Sequence, residues 1–200
     1  NSIVTLYRAG STEIGTANAD SNGAWSITSS ALSELAHTLT VTAKDAANNL
    51  SSASDAVSLT VDTTAPSAPT VSFPSSPSNS NTVTISLATS TGATTWQYST
   101  DNGSSWANGS GTTFTLADAT YPAGYIQVKN SDAAGNASTA SSSSGELIID
   151  TTAPLKPVIT APSSGFTNDT TPTITGSAEA SSTVKVYAGS NLLGTATLSG

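Results

Sequence analysis

Cysteine and methionine are both absent from this chain of 200 residues. Without thiols there are no disulfide staples, no thiolate metal sites and no cysteine nucleophile. Histidine is nearly absent: His37 stands alone, which leaves zinc-type hydrolysis without a ligand set. Charge is scarce as well, at 9% of residues, well under the roughly 25% of ordinary globular domains. Five scattered cations against thirteen acids give a net charge of −8, so no basic patch exists to hold nucleic-acid phosphates. No apolar run approaches the ~18 residues that a membrane-spanning helix needs. The opening Asn1-Ser2-Ile3 has neither the charged nor the apolar region of a secretory signal. No Gly-x-Ser-x-Gly elbow occurs among the many serines. Composition leaves room for paired acids of the glycosidase kind, but every Asp and Glu has a turn or linker reading, and no enzyme is expected.

Serine and threonine are abundant, at 70 of the 200 residues. Such a composition suggests disorder until the apolar residues are placed. They gather in short alternating runs: Ile3–Tyr7, Thr38–Ala43, Val57–Val61, Tyr125–Lys129 and Val184–Tyr187. Each run puts apolar side chains on one face and small polar ones on the other, the pattern of a half-buried strand. Turn signals separate them, at Ser21-Asn22-Gly23, Asp101-Asn102-Gly103, Asn108-Gly109 and Ser163-Ser164-Gly165. Only Ser29 to Ala36 has the pattern for a turn or two of helix. The expected class is all-β.

Internal repetition sets the architecture. Val61-Asp62-Thr-Thr-Ala-Pro66 returns as Ile149-Asp150-Thr-Thr-Ala-Pro154, 88 residues on. Asp45-Ala-Ala-Asn-Asn49 returns as Asp132-Ala-Ala-Gly-Asn136, 87 residues on. The two ends of the chain also match: Val4–Tyr7 with Gly15–Ala17 resembles Val184–Tyr187 with Gly194–Ala196. The chain therefore divides into 1–62, a repeat lacking its first strands; 63–150, a complete but divergent repeat; and 151–200, a repeat lacking its last strands. About seven short strands per repeat suit a two-sheet sandwich of immunoglobulin type. In strand order, A is Pro157–Ala161, B Thr171–Ala178, C Thr183–Ala188, C′ Leu192–Leu198, E Ala24–Thr28, F His37–Lys44 and G Ala56–Val61. Truncated ends point to a window from a longer array, or to ends completed by neighbouring copies in a fibre.

Asp-Thr-Thr-Ala-Pro, Asp-Ala-Ala-Gly-Asn, Asn22–Ile27 and Thr173–Glu179, in order and at this period, resemble the tandem Ig-like repeats of giant secreted bacterial adhesins of the RTX, biofilm-associated type. Residues 90–125 depart from that pattern. The resemblance implies an extracellular stalk on the bacterial cell surface, with neighbouring repeats of the same chain as partners and Ca²⁺ at the domain junctions.

Few acids are present, so each has a place. With this strand order, the B–C, C′–E and F–G turns face the preceding domain. Asp132, and Asn136 with it, should point back at linker residue Asp62, and Glu179 at linker residue Asp150. Asp45 and Asp20 face whatever precedes residue 1. Linker and loop carboxylates with carbonyls and Asn side chains make the oxygen-rich surroundings Ca²⁺ prefers. The alternative is that Asp62, Asp150 and Asp132 only close Asx-turns. The junctions should differ, because the middle repeat has Ser90 where the third has Glu179.

Trp96, Tyr98, Trp106 and Phe114 admit a glycan-stacking platform, but filling of the sandwich core is the preferred reading, with Trp25 doing the same in the first repeat. His37 reads as structural. Three roles follow: a calcium-stiffened extender of an adhesin, preferred; a structural subunit of an extracellular fibre or surface layer; and a carbohydrate-binding module on a stalk.

Overall fold

A computed structural model describes residues 2–86, 90, 92–163 and 165–197. Among them there is no helix, and hence none long and apolar enough to cross a membrane. The expected helical turn at 29–36 is a bend and extended chain. Ser164 of one expected turn, and Leu198 at the end of expected strand C′, lie outside the described residues.

Residues 2–62 hold one antiparallel sheet. Its strands are β1 (Ile3–Arg8), β2 (Thr12–Asn18), β3 (Ala36–Lys44) and β4 (Val57–Thr60), in the order β2-β1-β3-β4. In repeat terms this is a C′-C-F-G sheet. The expected strand E, Ala24–Thr28, makes no ladder. It lies against β2, where Gly15 leaves room for Ile27: a Cβ there would stand 2.5 Å from Ile27 Cγ2.

Residues 63–150 hold the core. One sheet pairs β5 (Thr70–Ser72), β6 (Thr82–Ser86) and β9 (Thr113–Thr115) in the order β5-β6-β9. The facing sheet takes β7 (Ala93–Ser99), β8 (Ala107–Asn108), β11 (Gln127–Asp132) and β12 (Ser141–Ser142) in the order β12-β11-β7-β8. A third pair joins β10 (Ala119–Tyr121) to β13 (Leu147–Ile149). Alternation does the sorting: Val83 and Ile85, Phe114, and Ile126 and Val128 point inward and are buried while their neighbours face out. Trp96, Leu116, Leu147 and Ile149 complete the cluster.

Residues 151–197 form two separate hairpins. One joins β14 (Val158–Ala161) to β15 (Thr175–Ser177); the other joins β16 (Thr183–Ala188) to β17 (Asn191–Thr197). Their register is informative. In the middle unit Val71 faces Ile85, whereas Ile159, which matches Val71 at the 88-residue spacing, faces Gly176. The hairpin is thus slipped by two residues from the aligned Ile174, a shift that keeps every side chain on its own face. Among the described residues, no strand ladder crosses from 1–62 to 63–150 or from there to 151–197.

Trp25 corrects an expectation. It stands 46% exposed, although its counterpart Phe114 is only 8% exposed. Phe114 lies opposite Val83 of β6 and stacks on Tyr98, with ring centroids 4.2 Å apart. Among the described residues of 2–62 no strand plays the part of β6 over Trp25.

Candidate functional site: the junction between repeats

The first and middle units each carry one loop built the same way. Asp132 Oδ1 accepts from the backbone N–H of Ala134 and Asn136, both at 2.9 Å, and Asn136 Nδ2 donates to Asp132 Oδ2 at 2.9 Å. Asp45 does the same with Ala47, Asn49 and the Asn49 amide. The fourth position is left-handed in both, with Asn48 at φ 70° and Gly135 at φ 94°. Only Gly, or a residue such as Asn, accepts that conformation at low cost. The five-residue repeat in the sequence is therefore a loop with a fixed conformation and a fixed donor at its tip.

That donor has a target in the linker. Asn136 Nδ2 also donates to the Asp62 backbone carbonyl at 2.9 Å. So the loop does turn back to Asp62, but it meets the peptide through Asn136, while the Asp132 carboxylate stays inside its own loop. Asp62 Oδ1 accepts from Thr64 N and Asp150 Oδ1 from Thr152 N, both at 3.0 Å, which are Asx-turns. Glu179 Oε2 accepts from Leu155 N at 3.0 Å. Ser90, at the position aligned with Glu179, instead donates to the Ala68 carbonyl at 3.4 Å. Asp20 Oδ1 accepts from Asn22 N and Ala24 N at 2.8 Å. Asp20 and Asp45 share one end of the first sheet, where Ile3 pairs with Asn18 on one side and Lys44 on the other.

Each linker is gripped from its other side by an acid that the sequence did not bring to a junction. Glu34 accepts from Thr63 N at 2.9 Å, from the Thr63 hydroxyl, and from the Thr64 hydroxyl at 3.0 and 2.9 Å. Asp118 accepts from the Thr151 hydroxyl at 2.8 Å and the Thr152 hydroxyl at 3.0 Å. The two are equivalent in the fold. Glu34 precedes Leu35, whose carbonyl receives Val61 N, and Asp118 precedes Ala119, which pairs with Ile149. They stand 84 residues apart, off the 87–88 period, so comparison of repeats does not line them up.

Past Pro66 the linker runs along the middle unit with its carbonyls held by side chains. Asn130 Nδ2 donates to Ser67 O at 3.1 Å, and Ser141 Oγ to Pro69 O at 2.5 Å. Pro66 and Pro69 have no N–H to contribute to a ladder. Asn130 is fully buried, and its Oδ1 has no partner among the described residues.

Hydrogen bonding holds several of these carboxylates below their usual range. For Glu34 the chief cause is the hydroxyl bonds of Thr63 and Thr64; for Asp118, that of Thr151; for Asp132 and Asp45, the amides of Asn136 and Asn49. A carboxyl lowered in the folded protein contributes stability that is present above its unfolded pKa, near 4, and is lost as pH falls through the folded value. Both junctions are therefore expected to loosen in acid below about pH 4, seen as increased amide exchange at Thr63 and Thr151. Glu34→Gln should loosen the first junction alone at neutral pH. Equal exchange at Thr63 in parent and variant would count against the clamp.

The aromatic group splits. Trp96 and Phe114 are buried, with the partly buried Tyr98 packed against both. Trp106 is not in the core: it is partly exposed, its Nε1 donates to Gly103 O at 3.1 Å, and Lys129 Nζ stands 4.0 Å over the ring. Beside it, Asp101 is held at about 2 by the Ser105 hydroxyl, the Ser105 N–H and Ser99. His37 is buried, and its Nε2 lies 2.8 Å from Ser33 O, a structural role.

Residues 1–63 match the family model of a bacterial Ig-like domain. Over 116 residues, 52% of this chain, the sequence is 40% identical to chitinase A1 of Niallia circulans, a stretch that is 16% of that protein's length. A solved structure of fibronectin(III)-like modules of Clostridium thermocellum CbhA aligns with 74% of this chain and 77% of its own, at 15% identity and a TM-score of 0.48. The chain is all-β among its described residues, and its first 63 residues match a bacterial Ig-like domain.

Proposed function

We propose that this chain is a non-catalytic spacer segment of an extracellular bacterial surface protein, with Ig-like units at 1–62, 63–150 and 151–200 in series. One observation carries the reading: each linker is held by a carboxylate from the unit before it and by a side chain from the unit after it, Asn136 on the Asp62 carbonyl at the first and Glu179 on the N–H of Leu155, just past Pro154, at the second. A linker gripped from both sides restrains the angle between units, as a spacer that must keep its length requires. The resemblance to adhesin repeats and the Ig-like match support the extracellular placement.

Calcium is the second part of the proposal. Asp62, Asp132 and Asn136 would hold it at the first junction, and Asp150 and Glu179 at the second. Asp45 and Asp20 would serve a preceding unit. Among the described residues, no three carboxylate or histidine side chains come together. An ion would therefore draw on carbonyl and amide oxygens for much of the six to eight ligands calcium takes. Small-angle scattering of the whole chain, with calcium and with excess chelator, is the test. A stiffening ion gives a longer maximum dimension and a higher melting temperature, since it binds only the folded junction. Superimposable profiles would leave the hydrogen-bonded clamps as the sole restraint. An extender role itself fails if Glu34→Gln combined with Asn136→Ala leaves scattering unchanged.

A carbohydrate-binding role has less support, because three of the four candidate aromatics form the core and Lys129 covers a face of the fourth. Retention on polysaccharide, lost in Trp106→Ala, would favour it over the spacer reading.

A further inference from the structure

The first linker divides between the two units it joins. Thr63 and Thr64 go with the first unit, since Glu34 holds the Thr63 N–H and both hydroxyls. Ser67 to Pro69 go with the middle unit: Asn130 donates to the Ser67 carbonyl, Ser90 to that of Ala68 and Ser141 to that of Pro69. Pro66 and Pro69 are both buried. Between the two sets stands Ala65. It is exposed, and among the described residues it makes none of the hydrogen bonds that fix its neighbours.

Few torsions are left free there. The ring of Pro66 fixes its own φ, and the residue before a proline is kept out of the helical region, which confines Ala65 ψ to extended values. Thr64 N is held by Asp62 Oδ1, and the Thr64 hydroxyl by Glu34. Thr64 ψ and Ala65 φ remain. One bond spans both: Asn136 of the middle unit donates back to the Asp62 carbonyl at 2.9 Å. The second linker is laid out alike. Asp118 holds the Thr151 and Thr152 hydroxyls, Ala153 is exposed and unbonded, Pro154 follows, and Glu179 holds Leu155 N.

We infer that each linker bends at a single alanine, Ala65 in the first and Ala153 in the second, and that Asn136 is the brace that locks the first of these hinges. Within the extended region φ runs from about −60° to −160°, so Ala65 can swing once the brace lets go, and no contact of Glu34, Asn130, Ser90 or Ser141 has to break. The brace itself is one hydrogen bond from an exposed loop tip, weak enough to open and close. This rests on the two-sided grip behind the spacer reading and adds where the chain bends and what stops it. It holds whether or not calcium binds the junctions.

The chain has no cysteine, so Thr38→Cys and Thr95→Cys together place one nitroxide label on each side of the first junction. Both threonines are exposed; Thr38 lies on β3 opposite Ser58, and Thr95 on β7 opposite Ser131, beside the Asp132 loop. Pulsed electron spin resonance on the whole chain reads the distribution of distances between the labels. Asn136→Ala should broaden it. Ala65→Gly in that background should broaden it roughly twofold further, because glycine takes positive φ about as readily as negative. Ala65→Pro in that background should return it to the parent's width, since proline fixes φ at 65 and confines ψ at 64. The site accepts proline: the chain runs from 61 to 69 without a turn or bend, and Ala65 N–H is unused among the described residues. Ala153→Pro, the same change at the other junction, should leave the broad distribution as it is. A parent-like width in Asn136→Ala would overturn the brace and the two-sided grip on which the spacer reading stands. Broadening that Ala65→Pro fails to reverse, or that Ala153→Pro reverses equally, overturns the hinge and leaves the grip in place.

Discussion

Trp96→Ala is expected to cost the middle unit about 3–5 kcal/mol, the range for removing a large aromatic from a packed core. Trp96 is 5% exposed at the centre of β7, with its ring 6.0 Å from that of Tyr98 and 6.1 Å from that of Phe114. Gly109 is glycine because the indole occupies the space a Cβ would take. The Trp96 Nε1 donates to Gly111 O at 3.0 Å, so truncation also leaves a carbonyl unpaired. Trp106→Ala is the contrast. It removes a partly exposed ring under Lys129, worth about 0.5–1 kcal/mol for the cation–π contact. Native-state hydrogen exchange at the Ile126 and Val128 amides reads the middle unit by itself, whatever the outer units do. If Trp106→Ala proves the costlier change, the assignment of the core is wrong.

Asn130→Asp is expected to be nearly as damaging, by about 3–5 kcal/mol at neutral pH, the penalty for a buried charge without a partner. The two side chains have the same shape. Asn130 is fully buried, its one side-chain bond is donated to Ser67 O, and Oδ1 has no partner among the described residues. A carboxylate there would face the Ser67 carbonyl with no donor. Its pKa in the folded protein would rise, so the penalty against the parent should grow as pH climbs above the unfolded value near 4. At lower pH the protonated acid donates to Ser67 O and most of the loss should be recovered. The clamp carboxylates titrate in the opposite sense, so the difference between variant and parent at each pH is the quantity to follow. A penalty that does not change with pH would show that residue 130 is solvated and that the linker does not dock as described.

These two residues differ in how far the sequence announced them. Trp96 stands in phase with Tyr98 on an alternating strand, and that pattern already favoured the core. Asn130 carries no such mark. It continues the inward face of β11 after Ile126 and Val128, where apolar residues are the rule, and only the passage of Ser67 overhead explains an amide there. Ser141 is the same case, since nothing distinguishes it among 36 serines until the Pro69 carbonyl is placed beside it; Ser90 was marked by its alignment with Glu179, but not its bond to the Ala68 carbonyl. Glu34 and Asp118 were missed because they sit off the repeat period. The pairing that aligns them is between strands and not between sequence positions.

The sequence by itself determined the all-β class, the position of most strands and the conformation of the Asp-x-x-(Asn/Gly)-Asn loops. All of these rest on local physics: two-residue alternation, left-handed positions open to Gly or Asn, and a short acid that accepts its own loop's N–H groups. Only the tertiary structure decided which groups meet across a junction, and which apolar residues are covered. Glu34 reaches Thr63 and Thr64 from 29 and 30 residues away, and Asn136 reaches Asp62 from 74. Trp25 and Phe114 hold the same place in the repeat, yet only Phe114 is buried. Burial belongs to the strand laid over a residue, and in the middle unit that strand, β6, comes from some thirty residues earlier in the chain.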